Sequence, residues 1–104
     1  LFIFFHGAVN RTLKEVFPVV APFQSFISCF GTPWGFILAS KGTDPRKQSA
    51  AEIDRLIAER LDPKQLGYWD GQAHLHSFSL PKFLRVSIEK NDRVITDKNP
   101  LIVT

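Results

Sequence analysis

The 104-residue sequence has no methionine, a single cysteine and no long apolar run, and each shortage closes off a class of protein. Cys29, standing alone, can form no intrachain disulfide and cannot supply a Cys-rich zinc site or a CxxC redox pair. That fits a reducing, cytoplasmic setting. Within an apolar stretch Cys29 reads as an inert core residue, because a reactive thiol needs an electropositive neighbour to lower its pKa. The opening LFIFF stops at His6, far short of the roughly 20 residues that a membrane-spanning helix needs. It also lacks the basic flank of a secretory leader, and its Phe and Ile content reads as a buried strand. A chain that starts inside such an element without methionine is expected to have lost something upstream.

Basic clusters are missing too. The 13 Lys and Arg are scattered from Arg11 to Lys98 among 10 acids, for a net charge of +3, with no basic run interleaved with aromatics. The excess therefore reads as solubility, and neither nucleic acid nor membrane is expected as a partner. No G-x-G-x-x-G, Walker lysine loop or G-x-S-x-G elbow occurs, so phosphate-cradle and serine-nucleophile schemes lack their parts. What remains is ordinary globular composition, 44% hydrophobic and 22% charged, in a length that suits one domain with a modest core.

Periodicity supplies the elements. Val9, Leu13, Val16 and Phe17 fall on one stripe of a helix running from Ala8 to Phe17, which Pro18 ends. VVAPFQSFISCF reads as a strand, with Pro22 marking a bulge or an edge near its start. WGFILASK, Trp34 to Lys41, supplies its partner across the turn Gly31–Pro33, so the pair is expected to be an antiparallel hairpin. KGTDPRKQ, Lys41 to Gln48, reads as a solvated surface loop. Ser49 and Glu52 then form an S-x-x-E capping box before a helix whose face is Ala50, Ile53, Leu56 and Ile57, stopped by Asp62-Pro63. Helices are expected again over Gln72–Ser77 and Pro81–Glu89, and a short strand over Arg93–Thr96.

Few residues offer chemistry. His74 and His76 could share a metal ion only on a strand; on a helix they point about 200° apart. One packed and one solvated histidine is the plainer reading. Glu52 with Asp54 and Glu89 with Asp92 read as solvated charge, and no catalytic set or metal site is assigned. That leaves the stretch CFGTPWGF, where a Gly-Pro turn could either cap a core with Phe30, Trp34 and Phe36 or lift Phe30 and Trp34 to the sheet's end, where α/β folds bind ligands.

The order of these pieces resembles a known family. RTLKEVFPVV, a Gly/Pro turn, PWGFILASKGTDP, a charged helix, LGYWDGQAHLHSFSLP and a closing helix are similar to the C-terminal half of the spermidine synthases, the polyamine aminopropyltransferases. The likeness runs from about His6 to Leu84, and the tail ITDKNPL is similar to some bacterial members. Its specific parts are the W-G-F…ASKG…DP block and the Y-[YW]-[DN]…H…F-x-L-P block, in order.

The resemblance implies that residues 1–104 are one partial domain, the C-terminal portion of a Rossmann-like, class I methyltransferase-type α/β fold with an antiparallel hairpin and flanking helices. It implies transfer of an aminopropyl group from decarboxylated S-adenosylmethionine to putrescine, releasing methylthioadenosine and a proton. In that family an aromatic, usually the tyrosine of a T-Y-P-S-G pattern, and an apolar residue before G-F line the amine pocket. Those places fall on Phe30 and Trp34, with one residue fewer in the turn and without the phenolic hydroxyl. The family's glycine-rich cofactor loop and D-x-x-D carboxylates match nothing in this chain, so it is expected to supply one pocket wall and to be inactive alone. Strand edges and a sheet face left uncovered lead to an expected self-association, as a homodimer. The rival reading is a small noncatalytic α/β interaction module.

Overall fold

The computed structural model describes residues 2–100, which form four helices and one two-stranded antiparallel sheet. Helix α1 spans Phe2–Lys14 and strands β1 and β2 span Val19–Ile27 and Thr32–Ser40. Helices α2, α3 and α4 follow at Ala50–Arg60, Gly71–Ser77 and Lys82–Lys90. The architecture is α/β, with the expected hairpin and flanking helices.

The opening apolar run is a helix and not a strand. A run this short cannot by itself distinguish the two, and here Phe5 stands four residues before Val9 and eight before Leu13, so it extends the same stripe back by a turn. The helix also ends earlier than its pattern. Glu15, Val16 and Phe17 donate to the carbonyls of Thr12 and Leu13 in a closing turn ahead of Pro18. Val16 is consequently 73% exposed and leaves the stripe.

The hairpin turn lies three residues earlier than Gly31–Pro33. β1 stops at Ile27, Ser28 to Gly31 make the turn, and Thr32 already pairs with Ile27. Gly31 decides this, because it holds the one positive φ (67°) among the described residues and a left-handed residue belongs where the chain reverses. Pro33 sits in β2 opposite Phe26, and Pro22 sits opposite Ile37 in an unbroken register with no bulge. Cys29 rides on the turn and is exposed, so it is no core residue.

Two layers cover the sheet in part. On one face His6 of α1 crosses so near Gly35 that a Cβ there would lie 2.8 Å from His6 Cδ2. On the other, Phe23 stacks on Phe36 at 5.2 Å and meets Phe78, just past α3, at 5.4 Å. Val20 and Ala21 are both buried although they point to opposite faces, which marks where both layers reach β1. The chain after α4 returns to α1, where Asn91 Nδ2 donates to the Phe4 carbonyl (3.0 Å) and Ile95 N–H to Thr12 Oγ1 (2.8 Å). That segment forms no strand at Arg93–Thr96, only an isolated bridge between Thr96 and Asn99. The end of the ITDKNPL tail, from Leu101, lies outside the described residues.

The second half begins where a plain surface loop was expected. Asp44 caps a short 3-10 turn, Pro45–Lys47, and Pro45 is buried. Ser49 Oγ accepts from Glu52 N–H, the forward half of the capping box, and the Glu52 carboxylate takes its return bond from the Ser49 hydroxyl where the full box uses the Ser49 backbone N–H. A second 3-10 turn, Pro63–Gln65, follows α2, and Asp70 caps α3. Pro81 stands at the N-cap position of α4.

Candidate functional site

Phe30 and Trp34 come together at the tip of the hairpin. Phe30 lies in the turn, Trp34 stands two residues into β2, and their rings stack with centroids 4.4 Å apart and planes 18° apart. Both remain open to solvent, at 56% and 45%. Stacking this close leaves no gap for a hydrocarbon chain between the rings, so a ligand would have to lie on an outer face.

Beside the tip runs a cleft of about 500 Å³ between α1 and β2. Phe5, His6, Val9 and Leu13 form its helical wall, and Pro33, Trp34 and Ile37 part of its strand wall. Phe30 does not border it. Phe5, Val9 and Leu13 repeat every four residues on α1, and β2 turns Pro33, Gly35 and Ile37 to the same side. Trp34 belongs to the alternate set with Phe36 and Leu38 and borders the cleft out of that period. His6 is the one ionisable side chain in the lining, and its Nε2–H donates to the Phe36 carbonyl at 3.0 Å, latching α1 to the strand. Among the described residues no carboxylate borders the cleft, and His6 Nε2 is committed to the Phe36 carbonyl, so the lining offers mainly apolar contact.

Sequence reasoning passed over His6, treating it only as the end of an apolar run. The available signal was Gly35, an otherwise unexplained glycine inside a strand, which marks a close approach by another group. The two histidines of α3 separate as the helical spacing requires. His74 is buried, with Nε2–H donating to the Pro45 carbonyl at 2.8 Å and its ring edge-on to Trp69 and Phe78, while His76 is exposed. No group of three or more metal-capable side chains forms among the described residues.

The hairpin tip thus sets an aromatic pair beside an apolar cleft on an α/β scaffold. Comparison with characterised proteins supplies the family. The chain is 37% identical over 98 residues to polyamine aminopropyltransferase 2 of Hyperthermus butylicus, which covers 94% of this chain and 32% of that protein. It is 36% identical over 95 residues to the polyamine aminopropyltransferase of Sulfurisphaera tokodaii, covering 91% of this chain and 31% of that one. With the enzyme of the same name from Sulfolobus acidocaldarius the identity is 38% over 93 residues. No protein-family model matches the chain. Nearly the whole chain is thus similar to polyamine aminopropyltransferases, and it spans about a third of the length of the curated relatives it matches.

Proposed function

We propose that the chain furnishes one wall of the amine pocket in a polyamine aminopropyltransferase and has no activity by itself. In the reaction so inferred, an amine nitrogen of putrescine attacks the propyl carbon bonded to the sulfonium of decarboxylated S-adenosylmethionine. The carbon–sulfur bond breaks, methylthioadenosine leaves, and the attacking nitrogen gives up a proton. Trp34, with Phe30 stacked behind it, would pack against the methylene chain of the diamine. The carboxylates that deprotonate the nitrogen and hold the far ammonium group belong to sequence motifs that this chain does not carry. The fold of the whole enzyme would be Rossmann-like, with residues 1–104 as part of one domain, in the cytoplasm.

The observation that carries this reading is the half-exposed Phe30–Trp34 stack at the mouth of an apolar cleft in a chain homologous to these enzymes. The test is methylthioadenosine release from decarboxylated S-adenosylmethionine and putrescine. None is expected from this chain, and measurable turnover by it alone would overturn the reading.

A second reading, self-association through the hairpin, is favoured by surface area. The chain exposes 7548 Å², where a folded protein of its 11.8 kDa mass is expected to expose roughly 5,900 Å². Sedimentation across a concentration series tests it, with dimers expected. A monomer that unfolds cooperatively at every concentration would rule it out.

A further inference from the structure

A second cleft, of about 400 Å³, lies on the far half of the molecule between α2 and residues 63–70. Its walls include Asp54, Ile57, Leu66, Tyr68, Trp69 and Asp70, a mixture of carboxylate, aromatic and aliphatic groups. Among the described residues no lysine, arginine or histidine lines it, although the chain as a whole carries a net charge of +3. Its volume falls within the range of small-molecule sites.

Both carboxylates are fixed by one oxygen each. Asp54 Oδ1 accepts from Gly71 N–H at 2.7 Å, and Asp70 Oδ1 accepts from Ala73 N–H at 2.9 Å. Neither aspartate belongs to an ion pair among the described residues, so each presents a second, uncommitted oxygen. Trp69 is held in place from behind, its ring edge-on to the buried His74 at 5.9 Å. Tyr68 lies 6.2 Å from Trp69, the two planes tilted by 30°. The cleft thus offers positioned anionic acceptors next to π-faces and aliphatic walls.

A hard divalent ion is poorly served here, because it takes six or more oxygens and gains nothing from rings. An organic ammonium uses every part: N–H donors for the free carboxylate oxygens, positive charge for the aromatic faces, and methylenes for Ile57 and Leu66. We propose that this cleft is a binding site for a primary alkylammonium, of the α,ω-diamine class, separate from the hairpin tip. The site does not rest on the function proposed above, since it shares no residue with the hairpin.

The test is a titration of the full chain with 1,4-diaminobutane at low ionic strength. It is read by Trp69 fluorescence in a Trp34→Phe background and by amide chemical shifts in the unaltered chain. Saturable binding is expected, with the largest shifts at residues 54 and 66–71. Asp54→Asn and Asp70→Asn each keep an oxygen acceptor for the backbone N–H they hold, and each is expected to weaken binding about tenfold by removing one charge-assisted hydrogen bond. On the unaltered chain, 1,4-butanediol is expected to give no shift, and equimolar magnesium chloride is expected not to displace the diamine. An equal response to butanediol, displacement by magnesium, unchanged affinity in both aspartate variants, or loss of the signal in the Trp34→Phe background would each overturn the proposal. The last result would move the diamine to the hairpin and leave the pocket-wall reading standing.

Discussion

The two halves of this chain are held together by different means. From Asp44 to Ser77 the fold is locally pinned: Asp44, Ser49, Asp62 and Asp70 each accept a backbone N–H two or three residues ahead, so every element starts on its own side-chain cap. From α1 to β2 hardly any such device occurs, and the elements depend on apolar contact across the sheet. That contact is incomplete. Among the described residues the buried apolar set is Ala8, Val20, Ala21, Ile53 and Leu80, mostly small, while Trp34, Phe36 and Leu38 stay at least 36% exposed along one face of β2. Among the described residues Asn10 of α1 is buried with no donor for its Oδ1, whereas the buried His74 and Ser77 of the other half both find partners. The radius of gyration, 15.5 Å, exceeds the roughly 13 Å of a compact domain this long. Locally encoded structure survives in this chain where long-range burial is unfinished.

The sharpest way to break the pinned half is at its tightest crossing. A Cβ added to Gly71 would collide with the carbonyl oxygen of Ala50 at the start of α2, a backbone atom that cannot step aside. Gly71→Ala is therefore expected to lose about 3 kcal/mol or more in urea unfolding. Intrinsic helix preference alone favours alanine by about 1 kcal/mol. A variant as stable as the parent would show that the α2–α3 contact does not hold this half together. Next comes His74→Ala, which leaves the Pro45 carbonyl unpaired and removes the ring between Trp69 and Phe78. A loss of about 2–3 kcal/mol is expected, against under about 0.5 kcal/mol for the exposed His76→Ala. Equal effects would mean that the buried histidine contributes no more than the solvated one.

On the hairpin side the expected effect is smaller. Gly31→Ala forces an L side chain into a left-handed conformation although space around it is open, so the cost is conformational alone, about 1–2 kcal/mol. Gly31→Asn should recover part of it, because asparagine tolerates that region better. If both variants matched the parent, the turn would not be fixed by Gly31.

What could be read in advance follows the same division. The S-x-x-E motif, the Asp62-Pro63 stop, α3 to within one residue at its start, and the diverging histidines were legible because each is set by neighbours within a few positions. The hairpin was legible as a pair but not in register, since Gly31 and Pro33 both signal a turn and only the φ of Gly31 decides which one closes it. LFIFF was misread because five apolar residues carry no period of their own; helix or strand was settled by what they pack against. The candidate site divides likewise. That Phe30 and Trp34 flank one turn was legible from their order, but their stacking on each other, and the contact of His6 with Gly35, depend on approaches across the fold. The residues 54–70 cleft was invisible for the same reason, because Asp54 and Asp70 become neighbours only when α2 and α3 cross.

The smallest effect concerns the first cap of the pinned half and depends on pH. The Asp44 carboxylate receives the Arg46 backbone N–H at 2.9 Å and the Arg46 guanidinium through two further contacts at 3.0 Å. The side-chain hydrogen bonds from Arg46, followed by that backbone bond, hold the Asp44 pKa below its ordinary value of 3.8. A carboxyl with a lower pKa in the folded state binds fewer protons folded than unfolded. Its contribution is therefore complete above the unfolded pKa and is lost as pH falls through the folded one. Asp44→Asn, which can still cap the 3-10 turn, is expected to lower the melting temperature slightly near neutral pH and to converge with the parent as the pH falls below the ordinary 3.8 and through the lowered folded pKa. Added salt should narrow the gap at neutral pH, because the pair sits near the surface. A gap that stayed constant across that range would assign the effect to the shape of the cap and not to its charge.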